Sequence, residues 1–232
     1  MTIATTAFTR NRSDDIFFPL MALFALGVVV VGFGHPYFFA GMMAAKLPTP
    51  LVHVHAAILS AWIAVQAMQP LLVAAGRVDW HQRMGIIGMA IAAAVPVIGG
   101  LAVIGSIRRQ HGDAVDLAFS LAAAVDFAVL SYLGLRQRRR DLSAHKRLML
   151  LATISILGPA IGRLPFVTGI PIYYATLGGF AAMVLAFDLL ALERLHSATI
   201  LGAAVIAASQ TLAELFWHTA AATGLVAWIQ HI

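Results

Sequence analysis

The chain contains no cysteine, and only 11% of its 232 residues are charged. The lack of cysteine excludes disulfides, thiolate metal sites, iron–sulfur clusters and thiol nucleophiles. The low charge argues against a soluble domain, in which roughly a quarter of the residues are charged. Phosphate-binding glycine loops, HExxH, GxSxG and the histidine boxes of membrane desaturases are also missing. The chemistry of those enzyme classes is therefore not expected.

Apolar residues dominate the sequence, at 61% of the chain with a mean hydropathy of +0.89. A membrane-spanning helix needs about 20 such residues. Stretches of about that length predict seven spans: Ile16–Gly34, Leu51–Ala75, Met84–Gly105, Ala114–Leu135, Lys146–Val167, Ile172–Leu192 and Ala198–Trp217. We therefore predict an all-α membrane helix bundle that forms a single transmembrane domain over residues 1–232.

The two ends of the chain are predicted to lie outside the spans. Residues 1–15 read as a solvated cytoplasmic tail, and the apolar segment 218–232 is too short to cross, so we expect it at the membrane interface. The seventh span contains no lysine, which argues against a retinal Schiff base.

Basic residues predict the orientation. The N-terminal tail and the loops at 76–83, 136–147 and 193–196 hold eleven Lys and Arg, whereas the opposite loops hold three. The positive-inside rule then places the N-terminus in the cytoplasm. The net charge of +5 is explained by these loops and does not call for a nucleic-acid partner.

Three segments repeat a histidine at the start of a span, namely WHQRMGIIG, AHKRLMLLA and LHSATILGA. They indicate one lone helix followed by three related hairpins.

The stretches HPYFFAGMMAAKLPTPLVHVHAAILSAWI, AAGRVDWHQRMG and SAHKRLMLLATISIL resemble an uncharacterised family of bacterial inner-membrane proteins. The AHKRLMLLA segment is also similar to small membrane proteins linked to cytochrome oxidase maturation. The resemblances imply a multi-pass protein of the bacterial inner membrane, with membrane lipids and a respiratory or other membrane complex as partners.

Polar residues within the spans suggest where a site lies, because such residues usually face the bundle interior. On span two, His55, Trp62, Gln66 and Gln69 share one face. Glu214 and His218 are neighbours on span seven, four residues apart. Both groups approach the outer surface in the predicted topology. The predicted outer-leaflet cluster comprises His35, His53, His55, Arg163, Glu214 and His218.

This cluster has the residue types of a metal or haem site. Imidazole and carboxylate suit zinc, copper or non-haem iron, and two histidines can ligate a haem. The candidate metal ligands are His35, His53, His55, Glu214 and His218, and a cofactor would be held by His55, Glu214 and His218 with Arg163 as counter-charge. The alternatives are an interhelical network in which Glu214 pairs with Arg163, and a substrate pocket.

Two further sets of polar residues carry other hypotheses. His81, His145 and His196 could form a metal site or contact lipid headgroups, or could simply stabilise helix starts. Asp126, near the middle of span four, is a candidate for proton coupling, or else a neutral acid bonded to a neighbouring helix. Asp188 lies nearer the inner end of span six.

The leading functional hypothesis is an accessory or binding protein that holds a metal or haem at the outer cluster. The rival hypothesis is a small-molecule, lipid or proton-linked transporter centred on Asp126, Gln66 and Gln69. A structural partner subunit with no site of its own is the third. A lipid enzyme using Glu214 and His218 as acid and base is also open.

Overall fold

A computed structural model describes residues 12–232 of the chain, so the predicted tail at 1–15 lies mostly outside the described residues. The described part is helical and contains no strand. Its helices are α1 (Asp14–Phe33), α2 (Pro50–Ala74), α3 (Val78–Arg108), α4 (Ala114–Gln137), α5 (Leu142–Ser155), α6 (Gly158–Ile161), α7 (Ile170–Leu192), α8 (Ser197–Trp217) and α9 (Ala220–His231). A π-helical turn at Gly34–Phe38 extends α1.

Six of these helices are long and apolar enough to cross a membrane: α1 with its π-helical extension, α2, α3, α4, α7 and α8. Each corresponds to a predicted span, and the two sets of ends agree closely except at α3, which begins six residues earlier than predicted. Large apolar side chains lie exposed on the outside of the bundle, with Leu190 at 86% and Leu212 at 65%. Such a surface is suited to contact with lipid chains. The all-helical fold is therefore confirmed for the described residues, with six helices long and apolar enough to cross a membrane.

The predicted fifth span, Lys146–Val167, is not one continuous helix. α5 ends at Ser155, α6 occupies only Gly158–Ile161, and a bend follows. Pro159 explains the break, because its ring lacks an N–H and clashes with the carbonyl of the residue four positions earlier, which is Ser155. Gly158 allows the close approach of a neighbouring helix, since a Cβ there would lie 2.5 Å from the Tyr173 hydroxyl.

This broken segment forms the centre of the bundle. Leu151, Ala152, Ile154 and Ile161 are completely buried, and α1, α2, α4, α7 and α8 all pack against α5. Broken helices at membrane depth are tolerated where protein surrounds them, because the freed backbone groups are then shielded from lipid. The short helices therefore lie where the enclosing helices protect them.

The bundle has two chemically different ends. The basic end is formed by the connections at 75–77, 138–141 and 193–196, and the far end by the connections at 34–49, 109–113 and 162–169. At the basic end, Lys146 forms an ion pair with Asp14, which brings the start of α5 beside the start of α1. At the far end, Asp113 and Asp116 form a reciprocal capping box at the start of α4.

The segment predicted to lie at the interface after Trp217 forms α9. This helix packs on the far ends of α3 and α4, where Ile229 joins Ile107 and Leu117 in a small apolar cluster. The Arg108 guanidinium donates to the Ile232 carbonyl oxygen at 2.8 Å. The last helix is thus attached to the far end of the bundle.

Candidate functional site

A groove separates α7 from α8 in the half of the bundle nearer the far end. It contains one member of the predicted cluster, Glu214. The two helices follow each other in the chain but touch only sparsely. The space between them has a volume of about 390 Å³, within the range of ligand pockets. Small and apolar residues form most of its wall, namely Leu177, Gly178, Ala181, Ala203, Ile206 and Ala207. Gly178, Ala207, Thr211 and Leu215 are exposed along it, so the groove is open on the outside of the bundle.

The far end of this groove is polar. Tyr174 donates its hydroxyl to Glu214 Oε2 at 2.7 Å, and His218 Nε2 lies 3.5 Å from Glu214 Oε1. Tyr174 belongs to α7 and Glu214 to α8, so this bond joins the two walls. The tyrosine was not among the predicted site residues, because its pairing depends on how α7 is rotated against α8.

Gln210 lies one turn before Glu214 and completes the polar end. Its side chain is only 6% exposed, yet its Oε1 atom has no hydrogen-bond partner within the described residues. An unpaired buried acceptor costs about 1–3 kcal/mol. Gln210 lines the groove, but its Oε1 atom is itself inaccessible to solvent.

The other members of the predicted cluster occupy different places. His35 is exposed in the π-helical turn, and His55 faces Gly99 on α3. His53 is partly buried and its Nδ1 atom has no partner in the described chain. No hydrogen bond or ion pair among residues 12–232 joins these three histidines to Glu214 or His218.

Arg163 does not form the predicted pair with Glu214. Its guanidinium donates to the Pro159 carbonyl oxygen at 2.6 Å and lies over the Phe33 ring, 4.7 Å from the ring centre. The carbonyl belongs to α6 and the ring to α1, so the Arg163 guanidinium has partners other than Glu214. Within residues 12–232, no three His, Asp or Glu side chains form a group that could hold a metal ion. The metal or haem site therefore stays a prediction.

The stripe predicted on span two does face the centre of the bundle. Gln66 donates to Thr153 Oγ1 at 3.1 Å, and Trp62 Nε1 donates to the same oxygen at 3.3 Å. Gln69 belongs to a different contact: with its amide oriented to suit its neighbours, its oxygen accepts from the Gly85 N–H at 3.1 Å. The stripe thus attaches α2 to α5 and α3.

Asp126 is buried, at 1% exposure, between α4 and α8. Ser209 donates its hydroxyl to Asp126 Oδ2 at 2.5 Å. Ser209 directly precedes Gln210, so this contact lies behind the wall of the groove. The structure therefore gives Asp126 an interhelical hydrogen bond, and its role in proton coupling stays a prediction.

Sequence reasoning missed an ion pair at the basic end, between Arg147 and Asp188. Both side chains are completely buried, and Arg147 donates to Asp188 Oδ1 through Nε at 2.8 Å and through Nη2 at 2.5 Å. Thr199 donates its hydroxyl to Asp188 Oδ2 at 2.5 Å, as does the His196 N–H at 3.1 Å. The network joins α5, α7 and the start of α8.

The three histidines predicted at helix starts are found in three different settings. His196 caps α8, since its Nδ1 accepts from the Ala198 N–H at 3.1 Å. Burial lowers the pKa of His196, and the Arg147 charge lowers it further. The neutral ring that the cap needs is therefore favoured. His145 Nδ1 lies 2.8 Å from the Gly134 carbonyl oxygen, and His81 packs beside Gln69.

Fold and groove together indicate the class of this protein: an α-helical bundle with six helices able to cross a membrane and a groove between two of them that is open on the outside of the bundle. No protein-family profile, curated protein or solved structure matches the chain. The functional argument therefore depends on the geometry of the groove.

Proposed function

We propose that this protein binds a lipid-like amphiphile in the groove between α7 and α8. The chain of the ligand would lie along Ala203, Ile206 and Ala207, and its head would contact Tyr174, Gln210 and Glu214. The observation that carries the proposal is the polar end that Tyr174 and Glu214 give to an otherwise apolar groove.

The dimensions of the groove support an occupant from one leaflet. Ala203 and Glu214 are eleven residues apart on α8, which corresponds to about 16 Å at 1.5 Å per residue. The hydrocarbon core of a bilayer is about 30 Å thick. The groove is therefore about as long as one leaflet is thick, with its polar end towards the membrane surface, as a lipid molecule would lie.

We further infer that the chain crosses the membrane seven times with its N-terminus in the cytoplasm. Residues 142–161 of α5 and α6 rise by about 30 Å if they are treated as helical throughout, which is enough to form the remaining crossing. Basic residues at the connections 138–141 and 193–196 favour the cytoplasmic side for that end. The groove would then open into the outer leaflet of the inner membrane of a bacterium.

Filling the groove tests the proposed function. Ala203→Leu adds a branched side chain to the wall, and Ala204→Leu adds the same atoms one residue further on, where Ala204 is exposed and does not line the groove. We expect native mass spectrometry to detect a co-purified amphiphile on the wild-type protein and on Ala204→Leu, but much less on Ala203→Leu. Equal retention by both variants would place the amphiphile elsewhere and contradict the proposal.

A further inference from the structure

We propose that the head of the amphiphile is an ammonium group, so that the groove selects cationic over neutral and anionic amphiphiles. This inference rests on the proposed function, because it names the ligand class of the same groove. Three features of the polar end support it: its negative charge, the acceptor oxygens of Glu214 and the aromatic ring of Tyr174.

The charge of the polar end is negative. Glu214 is the only carboxylate among the described residues that line the groove, and no lysine or arginine lines it. His218 contacts the other side of this carboxylate, but its side chain is 58% exposed, so solvent screens the pair and its contribution is small. A phosphate or sulfate head would be repelled by Glu214, whereas an ammonium can compete with His218 for it.

The hydrogen-bonding groups beside Glu214 favour a head that donates. The carboxylate oxygens of Glu214 only accept, and the Tyr174 hydroxyl hydrogen is already directed at one of them. Gln210 does not discriminate, because its amide nitrogen can donate and its amide oxygen can accept. The selection of an ammonium head therefore depends on Glu214.

The aromatic ring of Tyr174 lies beside the carboxylate, and two further rings that do not line the groove pack near it. Tyr174 is 5.5 Å from the ring of Tyr173 and 6.2 Å from that of Phe119, and Tyr173 and Phe119 are 6.3 Å apart. Cations, quaternary ammonium groups above all, are attracted to such ring faces. Tyr174 lines the groove itself, so its ring is placed to contact the head.

Three amphiphiles with the same dodecyl chain test the inference. The full-length protein is placed in nanodiscs, and saturable binding of radiolabelled dodecyltrimethylammonium, dodecyl sulfate and dodecyl glucoside is measured for each amphiphile separately. We expect the sulfate and the glucoside to bind at least about tenfold more weakly than the cation, the difference for one charge-assisted contact. Glu214→Gln should weaken binding of the cation about tenfold. Glu193→Gln, which removes an exposed carboxylate at the basic end, should leave it unchanged.

The outcomes separate this inference from the proposed function. If the three amphiphiles bind equally to the wild-type protein and Ala203→Leu weakens them all, the groove binds amphiphiles but the ammonium inference is wrong. Cation binding that survives Glu214→Gln would overturn it as well. If none of the three binds saturably, the proposed function itself is wrong. The comparison of the three amphiphiles uses only wild-type protein, so it decides the matter even if Glu214→Gln fails to fold.

Discussion

Arg147 and Asp188 are charged, completely buried and bonded to each other, which makes them the most consequential polar residues of the basic end. The aromatic rings of Phe18 and Phe187 lie near the guanidinium, with their centres 5.7 and 5.9 Å away. Ser143 accepts a further bond through Oγ at 2.6 Å. Each of the three guanidinium nitrogens of Arg147 therefore has an oxygen partner within the protein.

Removing one partner of this pair should cost much more than removing both. In Arg147→Met, Asp188 is left buried without its counter-charge, and we expect a loss of about 3–5 kcal/mol in the free energy of unfolding. The double variant Arg147→Met, Asp188→Leu should recover part of that loss. Unfolding by dodecyl sulfate titration in neutral detergent micelles measures each value, with the exposed Arg139→Met as the control. Single and double variants of equal stability would show that the two charges are not coupled.

The contrast between this pair and the groove shows which contacts a sequence can predict. Arg147 is five residues after the start of α5, and Asp188 is four residues before the end of α7. The predicted spans already placed both residues at a similar depth near the basic end, so this pair could have been predicted. The bond between Tyr174 and Glu214 could not have been predicted in this way, because it depends on the rotation of α7 about its axis. The apolar residues of α7 are not concentrated on one face, so the sequence does not indicate that rotation.

Helices of this bundle meet closely where glycine permits it. Gly32 on α1 is buried against α6, and a Cβ at this position would lie 2.5 Å from the Ala160 carbonyl oxygen and 3.0 Å from its Cα atom. Backbone atoms cannot rotate away as a side chain can. The central broken segment is thus held against α1 through a contact that only glycine allows.

We expect Gly32→Ala to destabilise the protein by about 1–3 kcal/mol, because α1 must move away from α6 to make room. Gly27→Ala is the matched control: a Cβ there meets nothing within 4 Å. Replacing a glycine inside a helix stabilises it by roughly 0.5–1 kcal/mol. Thermal unfolding in detergent should therefore shift in opposite directions for the two variants. A shift of Gly32→Ala in the direction of the control would contradict the close packing of α1 on α6.

Six predicted spans agree with long continuous helices, because long apolar segments are visible in composition. The fifth predicted span is divided into two short helices before Gly158 and Pro159, although the proline itself was a visible signal. Hydropathy does not distinguish a helix that faces lipid from a broken segment that other helices enclose.

At the scale of the whole molecule, the two ends of the bundle differ in charge and this difference implies an orientation. The basic end carries Arg138, Arg139 and Arg140 in a single connection. The far end carries Arg108 and Arg109, and Arg108 is bound to the end of the chain. The orientation decides whether the groove opens to the outer or the inner leaflet, and hence which amphiphiles can reach it.

The absence of cysteine makes this orientation directly measurable, because any introduced thiol is the only one present. Arg139→Cys, His111→Cys and Gln230→Cys each replace an exposed residue, at the basic end, the far end and α9 respectively. With the N-terminus in the cytoplasm, a membrane-impermeant maleimide applied to intact bacterial spheroplasts should label His111→Cys and Gln230→Cys, but Arg139→Cys only after lysis.

Each labelling pattern has a distinct physical meaning. Labelling of Arg139→Cys alone would reverse the orientation and move the groove to the inner leaflet, contrary to the positive-inside rule. Labelling of His111→Cys without Gln230→Cys would show that α9 does not lie at the far end. It would contradict the packing of α9 on Ile107 and Leu117. Labelling of both far-end positions would put the polar end of the groove at the outer surface, where Glu214 can meet an amphiphile that enters from the outer leaflet.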